Sequence, residues 1–575
     1  MDEAPPTARP RARLRRVIRA LLVGLGAASA LSLAVPASAA PPEKKAGAAR
    51  KAAKAGPTKG GGKGTGKGDG TGGGKKAGKS PAVASTAAPA AKAAVAPVAQ
   101  PGEVAVALQI QRTTLDNGLR VVLNPDHTSP TIAVAVAYDV GSRNEERGKS
   151  GFAHLFEHMM FQGSKNVEKG GHFRLISAHG GQLNGTTNSD RTNYFEMLPE
   201  NELALGLFLE ADRMKSLDIS EANFENQRKV VQEEYRMRVS NSAYAPSEIR
   251  LEELVYQGYW PYEHSTIGSM ADLDAARLDS VGDFFARHYG PNTAVLSIAG
   301  DFDPAQALVL VHRYFDSAKK ISATPFEAVV FPEQTSQRTA VVKDDNARTP
   351  GLFYGWAIPP NRTTDHYALE VAAYLLGQGE SSRLHQLLVR DKEVALSSSA
   401  GTEDRRGPDL FTINVKLADG KKMADVVGLV EAEVKSLSTR GPSDAEIEKA
   451  RRQIQTGLVL SIQSNGARAR KLADYELFSG DATRFNGELA KYLAVTKDDV
   501  KRVAAQYLGP TRRSIVETYP AESAAKDAGA AKAASVTPAG AAAPKVAHAA
   551  PPPKGKKAAA KDPKAKKPAP TPKKK

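Results

Sequence analysis

The sequence predicts an α+β protein with two similar domains, each with a mostly antiparallel sheet packed against helices, flanked by disordered basic tails. Strand-like alternation and helix-like periodicity follow one another through residues 106–320 and again through residues 335–520. Residues 40–105 and 521–575 instead combine many Lys residues with Ala, Gly and Pro. They contain too few large apolar residues to form a core, so both segments are predicted to be disordered.

A short internal repeat supports the prediction of two domains. Val281 lies nine residues before a Gly-Pro pair, and Val500 lies nine residues before another. Each stretch has the pattern of a helix, a tight turn and an apolar strand at the end of its half of the chain. We therefore expect two related domains joined near residues 320–340.

The individual elements follow from the spacing of apolar residues. Residues 116–118 carry a hairpin turn signal inside a strand-like segment. Residues 132–138 alternate between large and small side chains, which predicts a half-buried strand. The predicted strands are residues 114–124, 132–138, 182–187, 192–197, 294–299, 353–358 and 411–417. The predicted helices are residues 151–161, 200–214, 221–238, 424–437 and 444–462, with a short helix before residue 180.

The charge of the chain is concentrated outside its predicted domains. The whole sequence carries a net charge of +16, whereas residues 1–39 alone carry +4 and residues 40–100 and 521–575 carry +10 each. The difference leaves −8 for residues 101–520, so the folded part is acidic. The tails are either solvated polymer or segments that bind an anionic surface of the cell envelope, and nothing in them specifies a nucleic-acid partner.

The N-terminus predicts export. Six Arg residues precede a run of apolar and small residues from Ala20 to Val35, and Ala37-Ser38-Ala39 fits a small-x-small cleavage site. Residues 1–39 are thus predicted to be a signal peptide that sends the protein to the periplasm or the cell exterior. The alternative is an uncleaved N-terminal membrane anchor. Because the chain has no Cys, any metal must be held by His and carboxylate ligands.

One stretch carries the pattern of a metal site. His154 and His158 are four residues apart, so on a helix they share one face and can bind one ion, with Glu157 beside them. A solvated helix face is the alternative, but the surrounding residues are apolar. These are Leu155, Phe156, Met159, Met160 and Phe161. Two imidazoles leave zinc short of ligands, and a third ligand must come from elsewhere in the chain.

The predicted helix over residues 221–238 offers that ligand as Glu233 or Glu234. Together these residues resemble the pitrilysin-type (M16) metallopeptidases, in which His-x-x-Glu-His is followed about 76 residues later by a ligand Glu. Glu234 lies 76 residues after His158 and also matches the surrounding family pattern. The resemblance implies one Zn²⁺ per chain held by His154, His158 and Glu234, with Glu157 as the catalytic base. It also implies a supporting acidic residue seven positions before the ligand Glu, where this chain has Gln227.

The resemblance also indicates where substrate binds. Residues 180–187 resemble the edge strand on which the family lays an extended peptide, so Asn184 and Gly185 are candidate substrate-binding residues. In the second half, the family commonly supplies an Arg and a Tyr to substrate. This chain keeps Arg390 but has Leu396 where the Tyr is expected. The resemblance therefore implies one half-molecule that works with a second M16-like subunit, as a heteromer or a homodimer.

We therefore expect an exported zinc metalloendopeptidase that cleaves peptides or unfolded polypeptides. Two alternatives remain open at this point. One is a non-catalytic M16-like subunit that serves assembly. The other is an envelope-binding protein that acts through its basic tails.

Overall fold

The computed structural model describes residues 107–323 and 329–521. They form two β-sheets packed against helices, so the predicted α+β class is confirmed. The predicted signal peptide (residues 1–39), the linker (residues 40–105) and the tail beyond residue 521 lie outside the described residues. Within the described part of the chain, no helix is both long enough and apolar enough to cross a membrane.

The first half builds a six-stranded sheet. Its strands are β1 (Gln111–Thr114), β2 (Arg120–Pro125), β3 (Thr131–Tyr138), β4 (Gln182–Thr187), β5 (Thr192–Pro199) and β6 (Ala294–Gly300). Its helices are α1 (Phe152–Met159), α2 (Gly171–Ala178), α3 (Leu203–Ser216), α4 (Glu221–Tyr235), α5 (Ala245–Val255), α6 (Trp260–Glu263), α7 (Met270–Ala275), α8 (Leu278–His288) and α9 (Pro304–Phe315). The strand order is β1-β2-β6-β3-β5-β4, which places β4 at one edge.

The second half builds a five-stranded sheet. Its strands are β7 (Arg338–Asp344), β8 (Gly351–Ile358), β9 (Ala395–Thr402), β10 (Asp409–Leu417) and β11 (Arg513–Pro520). Its helices are α10 (Thr364–Gly377), α11 (Met423–Arg440), α12 (Asp444–Leu460), α13 (Asn465–Ser479), α14 (Glu488–Ala494) and α15 (Lys497–Tyr507). The strand order is β7-β11-β8-β10-β9, which places β9 at one edge.

Both sheets share one topology once β1 is set aside. In each sheet the five strands lie in the order first, fifth, second, fourth and third along the chain. The first and fifth strands are parallel, and all other neighbours are antiparallel. Val281 on α8 and Val500 on α15 are fully buried in the helices that precede the two last strands. The sequence repeat thus corresponds to a repeated fold.

Each half also places one helix against the sheet of the other half. Helix α13 packs on the first sheet, where Ala469 meets Ala133 and Ala135 in a small apolar cluster. Helix α5 packs on the second sheet, where Leu251 and Val255 share a cluster with residues of β8, β10 and β11. Each sheet is therefore covered on one face by helices of its own half and on the other face by a helix of the other half.

Three predicted elements differ from those observed. The strand over residues 132–138 is buried on both faces rather than half-buried, because α13 covers the side that carries the alanines. The strand predicted over residues 114–124 is instead two antiparallel strands, β1 and β2, joined by a turn. The helix predicted over residues 221–238 leaves α-helical geometry after Tyr235 and continues as a π-helix over Arg236–Ser240.

Candidate metal centre

Helix α1 carries the His-x-x-Glu-His motif and is fixed at its N-terminus. The buried carboxylate of Glu145 accepts hydrogen bonds from the backbone N–H groups of Gly151 (2.9 Å) and Ala153 (2.7 Å). Its negative charge offsets the positive end of the helix dipole. Gly151 has φ +91°, and a Cβ there would lie 2.8 Å from the carbonyl oxygen of Ile267, so this position requires glycine. Apolar residues on most of the helix surface bury it in the core of the first half.

The structure brings the three predicted ligands together. The rings of His154 and His158 have centroids 4.9 Å apart and are nearly perpendicular. Glu234 reaches them from α4, with its Oε2 3.6 Å from Nε2 of His154 and 3.2 Å from Nε2 of His158. One ligand atom from each residue lies within 4.8 Å of the others. Residues 76 positions apart along the chain therefore converge on one point.

The donor set at this point fits zinc. Nε2 of His154 is buried and has no hydrogen-bond partner in the described residues, which is costly unless an ion binds it. Burial, together with the charge of His158, lowers the pKa of His154 to about 3, so this ring is in its neutral, metal-binding form. Burial raises the pKa of Glu234, but the nearby His158, His154 and Arg238 outweigh it and the net pKa is lowered. Neutral imidazoles with one carboxylate are typical zinc ligands, and three protein ligands leave one position open.

Glu157 lies between this centre and the edge strand β4. Its side chain is buried, and burial raises its pKa although a hydrogen bond with Thr187 acts in the opposite direction. A Cβ on Gly185 would lie 2.9 Å from Cγ of Glu157 and 3.3 Å from the ring of Phe161. Gly185 therefore leaves the space that the Glu157 side chain needs. A larger side chain at this position would crowd the candidate base.

Replacing Gly185 by Ala is expected to displace Glu157 and to lower kcat about 10–100-fold with unchanged metal content. The measurement is peptide cleavage together with metal analysis. Gly401→Ala is the matched control, because Gly401 also lies in an edge strand but has nothing within 4 Å of a Cβ. Equal kcat values for the two variants would contradict this role of Gly185.

The other predicted site residues are placed as follows. Asn184 lies half-buried on β4, and its Oδ1 accepts a hydrogen bond from the backbone N–H of Gly185 (2.9 Å). Gln227 is buried on α4, two helical turns before Glu234. Arg390 is exposed in a π-helix over His385–Asp391, and it makes no hydrogen bond or ion pair within the described residues. The structure does not bring Arg390 to the metal centre of its own chain.

Sequence reasoning missed three residues that support the centre. Nε of Arg238 lies 2.9 Å from Oε1 of Glu234, one helical turn further along, and this spacing could have indicated the pair. His264 stacks on Trp260 and its Nε2 lies 3.0 Å from Oε2 of Glu145. No spacing along the chain connects Glu145 or His264 to the motif. Their roles depend on tertiary contacts.

Comparison with known protein families agrees with this fold. Residues 120–265 match the family model described as insulinase (peptidase family M16), and residues 276–454 match the model described as the peptidase M16 inactive domain. The zinc protease PqqE of Helicobacter pylori is 31% identical over 419 residues, which are 71% of this chain and 93% of that protein. The β subunit of the mitochondrial-processing peptidase of Blastocladiella emersonii is 26% identical over 440 residues, 73% of this chain and 91% of that protein.

Solved structures give the same result. A protease from Helicobacter pylori matches with a TM-score of 0.69 at 30% identity, over 72% of this chain and all of that one. The first half of the periplasmic protease PqqL from Escherichia coli matches with a TM-score of 0.60 at 18% identity, over 74% of this chain and 95% of that one. The chain has the fold of the M16 peptidases and carries an inverted His-x-x-Glu-His motif. It belongs to the M16 peptidase family. It is a single half-molecule of that family, since it covers only 49% of the complete PqqL chain.

Proposed function

We propose that this M16 protein is an exported zinc-dependent endopeptidase that cleaves extended peptides or unfolded polypeptides. One observation carries the proposal. Three buried ligand atoms converge beside a buried carboxylate, and that carboxylate lies against the edge strand of the sheet. In the proposed division of the chain, residues 106–320 hold the zinc centre and residues 335–520 form the second domain. The alternative of a non-catalytic subunit is disfavoured, because His154, Glu157, His158 and Glu234 are all present.

The chemistry follows from the positions of these residues. His154, His158 and Glu234 would hold Zn²⁺, which would supply Lewis-acid chemistry to the attacking water and the peptide carbonyl. Glu157 takes a proton from the attacking water and then gives it to the leaving amine nitrogen, so the peptide C–N bond breaks and no net proton is lost. The burial of Glu157 keeps bulk water from competing for this proton.

The edge strand supports binding of an extended peptide. β4 pairs with β5 on one side only, so its other side presents backbone groups that are not paired in the sheet. A peptide that adds to β4 as a further strand would be held through its main chain and would pass beside Glu157. Such binding tolerates many sequences, which suits an enzyme that acts on unfolded polypeptides.

A peptide-library digest tests this function. The purified chain is expected to cleave peptides, to stop after metal removal by a chelator, and to recover when Zn²⁺ is added back. Mass spectrometry of the products gives the positions of cleavage. Cleavage that continues at full rate in excess chelator, with zinc shown to be absent by elemental analysis, would refute a metallopeptidase.

We also propose that the active form contains a second M16-like subunit. Arg390 is exposed and unpaired within the described residues, and Leu396 is 61% exposed where the family pattern has Tyr. Leu cannot donate the hydrogen bond of a Tyr hydroxyl, so a homodimer would lack that contact. A heteromer with a relative that retains both residues would supply it. We favour the heteromer.

Co-expression with such a relative is expected to raise kcat/KM above that of the isolated chain. Analytical ultracentrifugation of both preparations shows whether the two chains form a complex when the rate rises. Full activity of the isolated chain, unchanged when the relative is added, would contradict the heteromer.

Export and attachment to the envelope are proposals that rest on the N-terminal and C-terminal segments. The basic tails would add attachment to an anionic surface, which is sensitive to salt. Cell fractionation of the full chain and of a variant without residues 1–39 tests export. Both forms in the same compartment would contradict a role for that segment.

A further inference from the structure

A second group of metal-binding side chains lies in the other half of the molecule. His366 and Glu370 are four residues apart on α10, and Asp404 lies in the loop that joins β9 to β10. One ring nitrogen of His366 and one carboxylate oxygen from each acidic residue lie within 4.8 Å of one another. We name these three residues the α10 cluster. It is separate from the candidate zinc centre and plays no part in the chemistry proposed above.

His366 is held in the way that metal-binding histidines are held. Its side chain is fully buried, and its Nε2 lies 2.7 Å from Oδ2 of Asp409. Its Nδ1 is buried and has no hydrogen-bond partner in the described residues. When a carboxylate accepts the Nε2–H of a histidine, the lone pair lies on Nδ1 and is available to an ion.

Within the described residues, neither Glu370 nor Asp404 forms an ion pair with a Lys or an Arg. The Tyr492 hydroxyl donates a hydrogen bond to Oε2 of Glu370 (2.5 Å), which leaves Oε1 free of this contact. The nearby Arg405 is directed away, to Glu252 at 2.8 Å. Asp404 is exposed, so an ion can enter from solvent.

We propose that the α10 cluster binds a divalent first-row transition-metal ion, with Zn²⁺ as the probe ion, through Nδ1 of His366 and the carboxylates of Glu370 and Asp404. One imidazole nitrogen with two carboxylate oxygens suits Zn²⁺ or Mn²⁺. Asp409 orients the histidine from the far side of the ring, as a carboxylate does in many metal sites.

The position of the cluster gives such an ion a structural role. Asp404 is the first residue of a short run, residues 404–409, and the residues that follow it contact the first half of the molecule. The backbone N–H of Arg406 donates to Oδ2 of Asp190 (3.0 Å), and that of Gly407 donates to the Tyr262 hydroxyl (2.9 Å). Asp409 accepts from the backbone N–H of Asp404 (3.1 Å) at the other end of the run. An ion that joins α10 to this loop therefore stabilises the contact between the two halves.

Metal counting on the full chain tests the proposal. Wild-type protein and His158→Ala, which removes a ligand of the candidate zinc centre, are stripped with a chelator and titrated with Zn²⁺ by calorimetry. We expect two Zn²⁺ per wild-type chain and one per His158→Ala chain, with a rise in Tm of His158→Ala when Zn²⁺ is added. Asp404→Asn is expected to remove one Zn²⁺ from either protein, or to weaken its binding at least about 10-fold.

The controls separate this site from the candidate zinc centre and from misfolding. Asp404 has φ +61°, a conformation that Asn tolerates well, so the substitution keeps the loop. Asp419→Asn, at another exposed loop position, is the matched control and is expected to bind as the wild type does. If His158→Ala does not fold, the count in Asp404→Asn alone decides, with Glu370→Gln as a second variant. One Zn²⁺ per wild-type chain and none per folded His158→Ala chain would overturn the proposal, as would equal binding by Asp404→Asn, Glu370→Gln and Asp419→Asn.

Discussion

Replacing Glu157 by Gln is expected to lower kcat about 10²–10⁴-fold while the metal content stays unchanged. Gln has nearly the same shape as Glu, so it fits the space that Gly185 leaves and keeps the buried contacts of α1. It cannot take a proton from water, and the step that depends on the base is lost. Peptide cleavage and elemental analysis on the same preparation measure the two effects separately.

The kinetic pattern distinguishes a base from a substrate-binding residue. Loss of an interaction made only in the transition state lowers kcat and kcat/KM equally, whereas loss of simple binding raises KM. Glu168→Gln serves as a control, because Glu168 is exposed and pairs with Arg174 on the surface. If Glu157→Gln lowers kcat by only ~10-fold or less, Glu157 is not the catalytic base.

The sequence was most informative where function depends on local geometry. Residues four apart on a helix must share a face, so the spacing of His154 and His158 along the chain is enough to pair them. The choice of Glu234 over Glu233 rested on the family spacing. In the structure Glu234 is buried against the histidines, while Glu233 is exposed and pairs with Arg236 at 2.9 Å. The repeat of helix, turn and strand likewise corresponds to the shared topology of the two sheets.

Contacts between residues far apart in sequence could not be predicted. The periodicity of α13 shows that one face is apolar, but it does not show which sheet that face covers. The helix packs on a strand more than 300 residues earlier, and Nε of Arg112 lies 2.6 Å from Oε2 of Glu476 across this contact. The sequence also contains no indication of Glu145 at the start of α1, because the hydrogen bonds of its carboxylate depend on the path of an irregular loop. The α10 cluster also joins a helix to a distant loop.

Replacing Glu234 by Gln is expected to remove Zn²⁺ from the candidate zinc centre, with a loss of metal affinity greater than about 100-fold. Among the described residues of this centre, Glu234 is the charged ligand, so its replacement by a neutral amide leaves the ion with two imidazoles. The amide also ends the ion pair with Arg238, which lies 2.9 Å from Oε1. Activity should therefore be absent at zinc concentrations that saturate the wild type, in contrast to Glu157→Gln, which keeps its metal.

Glu233→Gln provides the matched comparison, since it makes the same chemical change one residue earlier on the same helix. Its carboxylate is 61% exposed and belongs to a surface ion pair, and such pairs contribute little to stability. We expect this variant to keep the metal content and activity of the wild type. Circular dichroism of both proteins shows whether α4 remains folded. If Glu233→Gln loses zinc and Glu234→Gln keeps it, the third ligand is Glu233 and the 76-residue spacing does not apply to this chain.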